Sequence, residues 1–156
     1  MDATPLPGLA VALGSSFLGY YAHAGFLNGL AEAGVIPGKI SGASAGAISG
    51  SLFAAGLRGP ALEKAALDPA LRWSFFDWGA LHRLPGLATG LGASGLLSGN
   101  GAVRHLRSLL GDIDLSSLAD PSMEIAVTDA ANHRPEILRS GPLAELIVAS
   151  CAVPGL

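Results

Sequence analysis

The chain has 156 residues, one domain's length, and a chain of that size buries about two-thirds of the surface its unfolded form exposes. Half of the residues are hydrophobic and 13% are charged, which excludes intrinsic disorder, while a formal charge of −3 removes the broad basic face that nucleic-acid binding needs. A single cysteine, Cys151, excludes an internal disulfide framework and a Cys-x-x-Cys metal site.

After a proline-rich lead, the apolar run Leu9 to Leu13 stops at Gly14 and predicts a buried strand. A loop of small residues, Gly14 to Gly19, opens a helix over Tyr20 to Ala33 that Gly34 closes. Val35-Ile36-Pro37 reads as a turn, Lys39 to Ser41 as a second strand, and Ala45 to Ala55 as a helix ending at Gly56. This βαβα order argues for an α/β fold with a parallel, helix-covered sheet. Pro60 opens a third helix with Glu63 and Lys64 outward, and residues 69–95 read as irregular. Ser98 or Asn100 is expected to cap a helix running to Leu110. Met123 to Thr128 reads as a third strand, paired with Pro135 to Leu138 across the Asp129 to His133 turn, and Pro142 to Cys151 as a final, apolar helix.

Mean hydropathy is +0.49, so membrane segments need a direct test. Residues 40–57 hold no charge and are long enough to span a bilayer, but four Gly and four Ser, with a strand end at Ser41-Gly42, argue against a transmembrane helix. Met-Asp at the start, with no basic segment before the apolar run, argues against a secretory signal. The expectation is a soluble, cytoplasmic protein. Val148 to Leu156 is almost continuously apolar, whereas chain ends are usually polar, so the domain is expected to be incomplete at its C-terminus and to associate or dissolve poorly.

The strongest chemical signal is Gly42-Ala43-Ser44-Ala45-Gly46, a G-x-S-x-G pattern between an expected strand and an expected helix. A serine on so tight a turn lifts its hydroxyl clear of the sheet edge, and only small neighbours allow the backbone path. The helix starting at Ala45 aims unpaired N–H groups and a positive dipole end at the same point, so the Ala45 amide is placed to stabilise an oxyanion formed when Ser44 attacks a carbonyl. The Gly14 to Gly19 loop also joins a strand to a helix, and sequential strands usually neighbour each other, so its amides are expected beside Ser44.

Together these segments resemble the patatin-like phospholipase family. The likeness is carried by VALGSSFLGYYAHAGFLNGL, ISGASAGAISGSLFAAG, LLSGNGAVRHLRSLLGD, EIAVTDAANHRPEIL and GPLAELIVASCAVPGL, in the family's order, and omits residues 69–95. It implies a three-layer α/β/α fold with a mainly parallel sheet, one incomplete domain over residues 1–156, and a Ser–Asp dyad. Ser44 matches the nucleophile and Gly42 and Gly46 its elbow, while Gly14, Ser15, Ser16 and Gly19 match the glycine-rich oxyanion motif.

Two departures stand out. Ser15, Ser16 and Leu18 replace further glycines and a basic residue usual in that motif. The family's D-G-G or D-G-A motif, which carries the dyad aspartate, is absent. Asp129 matches a position that looks structural. His23, His82, His105 and His133 read as surface or packing residues, and Cys151 as a small buried hydrophobe. Gly90 to Gly95 fits G-x-G-x-x-G without the strand and helix that a dinucleotide site requires. Trp73, Phe75, Phe76 and Trp78 are expected in the core, with an acyl-pocket wall or a lipid contact as the alternative.

The resemblance therefore implies a lipid esterase or phospholipase A-type hydrolase whose aspartate lies outside these 156 residues, so that the chain alone is expected to be inactive. Its partners would be a lipid or other acyl ester, a membrane surface, and a second chain carrying the rest of the domain; no metal, cofactor or nucleic acid is implied. The alternatives are an inactive lipid-binding or interaction module on the same fold and an acyltransferase.

Overall fold

The computed structural model describes residues 4–76 and 99–152. Strand β1 (Thr4–Leu13) leads to helix α1 (Tyr20–Glu32), β2 (Val35–Ala43) and α2 (Ala45–Ala54), followed by α3 (Pro60–Leu67) and the short α4 (Pro69–Ser74). Helix α5 (Asn100–Leu110) and a 3-10 turn (Leu115–Ser117) precede β3 (Ser122–Asp129), β4 (Arg134–Leu138) and α6 (Leu143–Cys151). The sheet order is β1-β2-β3-β4, parallel through the first three strands, with β4 antiparallel to β3 as a hairpin.

Because the order advances β1 to β2 to β3 without reversal, right-handed connections place α1 and α2 on the same face of the sheet. Alternation along the strands agrees. Val11, Leu13, Ile40, Met123 and Ile125 turn toward the helices, and Leu27 of α1, Leu52 and Phe53 of α2 and Ile147 of α6 complete a fully buried centre. Helix α2 is buried along its whole length, as a central helix of small and apolar residues should be. The opposite face carries Ala10, Ala12 and Lys39, all exposed, beside the buried Glu124, and the architecture is the expected α/β one, with a sheet parallel through three of its four strands.

Several boundaries differ from expectation. The expected turn at Val35-Ile36-Pro37 is strand: Gly34, at φ +77°, completes the turn by itself, and Val35, Ile36 and Pro37 pair with Thr4, Pro5 and Leu6. Pro37 lacks a ladder donor and is accommodated beside the register shift between Leu6 and Ala10. Strand β1 begins at Thr4 rather than Leu9, since an edge strand tolerates proline. Residues 69–74, expected to be irregular, form α4: the Asp68 carboxylate accepts the Ala70 amide at 2.8 Å and Pro69 occupies the first turn. Helix α5 is capped by Gly99 at φ +67°, with no side-chain cap; Asn100 is its first residue, and Ser98 lies outside the described residues.

Candidate active site

Strand β2 ends at Ala43 and α2 begins at Ala45, leaving Ser44 alone at the junction with φ +51° and ψ −112°. A non-glycine residue holds such a conformation only where its surroundings impose it. Two close approaches impose it here. A Cβ on Gly42 would lie 2.5 Å from the Gly46 carbonyl oxygen, and one on Gly46 would lie 2.1 Å from the Leu13 carbonyl oxygen. Thus each glycine of the pentapeptide leaves room for backbone: Gly42 for the first turn of α2, Gly46 for the end of β1.

A third constraint comes from 106 positions down the chain. The Ser44 amide donates to the Ser150 hydroxyl at 2.8 Å, and that hydroxyl donates to the Ala126 carbonyl at 2.6 Å. Beside it, burial pushes the Cys151 thiol up to about 11, with the neighbouring Ser44 side chain acting in the opposite direction. Cys151 is half-buried and packs against the core cluster, near its expected place as a small buried hydrophobe. Ser150 was not singled out in the sequence: a lone serine in an apolar helix carries no spacing signal, and its partner is remote in the chain.

The Gly14 to Gly19 loop starts next to this junction, because Leu13 is the register partner of Gly42. Gly14, Ser15 and Ser16 are exposed and Gly19 is half-buried. Among the described residues the amides of Ser15, Ser16 and Phe17 donate no hydrogen bond, nor does the Ala45 amide at the head of α2. A Cβ on Gly19 would collide with the Ser16 side chain, at 2.8 Å from its Cβ. Leu18 adopts φ +56°. His23 reaches back from α1, placing Nε2 3.0 Å from the Gly14 carbonyl oxygen; since a carbonyl only accepts, Nε2 carries the hydrogen.

Among the described residues no carboxylate or imidazole hydrogen-bonds the Ser44 hydroxyl. The Asp129 carboxylate is engaged within the β3–β4 hairpin, where the Asn132 side chain, the Asn132 amide and the Ala131 amide hold it below the ordinary carboxylate range. His105 faces Asp68 at 3.8 Å and His133 sits in the hairpin turn at φ +52°. His82, Trp78 and the Gly90 to Gly95 stretch lie outside the described residues. Trp73 and Phe76, expected in the core, are exposed, and Phe75 is half-buried. Trp73 sits on a helix of six residues whose one buried position is Leu71, and Phe75 and Phe76 follow its end, where Phe76 packs against the Trp73 ring at 5.5 Å. No described helix is long and apolar enough to cross a membrane; residues 40–57 are split between β2 and α2.

Comparison with known proteins agrees with this architecture. The family model described as patatin-like phospholipase matches residues 11–156. Uncharacterized NTE family proteins of Mycobacterium bovis and Mycobacterium tuberculosis are each 31% identical over 151 residues, covering 96% of this chain. The chain spans 39% of the length of these curated relatives. Among solved structures, the heterodimeric complex ExoU-SpcU from the type III secretion system of Pseudomonas aeruginosa superposes with a TM-score of 0.51 at 17% identity, over 98% of this chain and 38% of that one, a likeness of fold. The chain belongs to the patatin-like phospholipase family.

Proposed function

We propose that the protein containing this patatin-like chain is a serine acyl hydrolase that cleaves a carboxylic ester, with a lipid as its substrate class. The observation that carries this reading is Ser44 itself, held at φ +51° between a strand and a helix, next to a loop in which the Ser15, Ser16 and Phe17 amides are uncommitted among the described residues. In this reading the Ser44 hydroxyl oxygen attacks the ester carbonyl carbon while its proton passes to a base. The tetrahedral oxyanion is stabilised by the Ala45 amide and by amides of the Gly14 to Gly19 loop, aided by the positive end of α2. Collapse expels the alcohol, which takes the proton, and leaves an acyl ester on Ser44; water then repeats the sequence and restores the serine.

The base is an aspartate outside these 156 residues, in keeping with the absence of any described carboxylate on the Ser44 hydroxyl. Lipid as the substrate class is supported by family membership and by Phe17, which is 94% exposed within the loop beside the serine and offers an aromatic face to an acyl chain or a membrane surface. Fluorophosphonate labelling of the full-length protein tests the reading. An adduct on Ser44, absent in Ser44→Ala, is expected; a wild-type protein that takes no label on Ser44 defeats it.

The absence of a base on Ser44 among the described residues also favours a second reading, a lipid-binding module without turnover. Vesicle binding that survives Ser44→Ala, with no label on the wild-type serine, would select it.

A further inference from the structure

The β2–β3 register ends at the pair Ala43 and Ala126. One residue past the end of β2, the two backbones no longer meet directly, and the Ser150 hydroxyl stands between them. It accepts from the Ser44 amide at 2.8 Å and donates to the Ala126 carbonyl at 2.6 Å. It thus acts as a side-chain rung at the point where the ladder opens. A hydroxyl suits this place because it donates once and accepts at the same time, whereas alanine does neither. The bond has two consequences for Ser44. It anchors the one amide on which its left-handed conformation turns, and it commits that amide, so that any oxyanion must be met by the Ala45 amide and the loop rather than by Ser44's own N–H.

We infer that Ser150 is a positioning residue for the nucleophile: through the Ser44 amide it holds the serine's backbone, and hence its hydroxyl, in the geometry from which attack occurs. The inference rests on the serine hydrolase reading for its catalytic half and on hydrogen-bond geometry alone for the other. Ser150 touches no reacting atom. Its loss should therefore spare ester binding and slow the chemical step, while threonine, which keeps the hydroxyl, should substitute for it.

The test uses full-length protein with Ser150→Ala, Ser150→Thr and Ser44→Ala variants. Hydrolysis of a p-nitrophenyl ester, fluorophosphonate labelling of Ser44 and hydrogen exchange at the Ser44 amide are measured well below each variant's melting temperature. Ser150→Ala is expected to lower kcat and the labelling rate about 10- to 100-fold with KM within about twofold, and to speed exchange at Ser44 at least about tenfold. Ser150→Thr should recover most of all three. Wild-type kcat and labelling in Ser150→Ala overturn the inference even if its melting temperature falls, because a merely structural role would move stability alone. Unchanged exchange at Ser44 overturns it without reference to activity. A wild-type serine that takes no label instead defeats the hydrolase reading and the catalytic half with it, and the exchange measurement still decides whether Ser150 holds the amide.

Discussion

Gly46 lies so close to Leu13 that a Cβ added to it would stand 2.1 Å from the Leu13 carbonyl oxygen. This contact joins the end of β1 to the first turn of α2 and brings the Gly14 to Gly19 loop up to Ser44. No side chain fits between two backbones at that distance. Gly46→Ala is expected to cost about 1–3 kcal/mol by forcing the elbow open. Fluorophosphonate labelling of Ser44 in the full-length protein should fall with it. Denaturant midpoints give the stability loss, and a midpoint unchanged from wild type would contradict the contact.

Asn28 of α1 makes a two-way clamp on Gly59, donating to its carbonyl at 3.0 Å and accepting from its amide at 2.9 Å. Asn28 is buried, and Gly59, at φ +50°, is the cap from which α3 starts. Asn28→Ala leaves both backbone groups without these partners and should destabilise by about 1–3 kcal/mol. Asn28→Asp should do no better, because a carboxylate cannot donate to the Gly59 carbonyl. Urea titration of the two variants checks the ordering.

Glu124, buried on β3, accepts from Lys39 at 3.0 Å, from Arg139 at 2.7 Å and from the Ser41 hydroxyl at 3.3 Å. The Lys39 and Arg139 hydrogen bonds hold its carboxyl below the ordinary value of 4.5, outweighing burial, which acts upward. A carboxyl lowered by folding stabilises above its unfolded value, and that contribution is lost as pH falls through the lower folded value. The melting-temperature difference between wild type and Glu124→Gln should accordingly be widest at pH 7 and close below pH 4.5. A difference that stays constant across this range would refute the assignment.

The His23 ring holds the Gly14 carbonyl from outside the sheet. Since this contact is exposed, His23→Ala should cost no more than about 1 kcal/mol. Its larger effect should fall on the loop, with faster hydrogen exchange over residues 14–19 and slower labelling of Ser44. His23→Gln, which retains an N–H donor, should lie between alanine and wild type. Equal exchange in all three proteins would show that the ring does not restrain the loop.

The Cys151 thiol, pushed up to about 11 by burial, is almost wholly protonated at pH 8. Iodoacetamide should modify it at least about a hundredfold more slowly than an ordinary free thiol, since the thiolate is the reacting species. Mass spectrometry of alkylated native protein measures this, and modification at a free-thiol rate would show that the thiol leaves its buried place.

Much of the site's local geometry was readable in advance because it is local. The five residues from Gly42 to Gly46 contain both the serine and the two positions where backbone must touch, and strand-to-helix junctions are set by nearby apolar spacing and breakers. The same logic was available, and missed, at Asp68-Pro69, where a cap and a first-turn proline open α4. At Val35 to Pro37 proline misled, because its tolerance there depends on a register shift in the neighbouring strand. Hydrophobicity alone puts Trp73 and Phe76 in the core, but it says nothing about which side of a short helix, or of the chain just past its end, faces inward.

From its order of residues alone, this chain specified an α/β arrangement, a serine on a tight strand-to-helix turn framed by glycines, and a small-residue loop next to it, all consequences of contacts within a few tens of positions. Only the folded chain decided what surrounds that serine: its left-handed backbone, Ser150 on its amide, Cys151 beside its side chain, and Asp129 engaged within its own hairpin. The physical reason is that a hydrogen bond between residues 44 and 150 depends on where a strand end and a distant helix end come to rest together, and no periodicity in the sequence encodes that meeting.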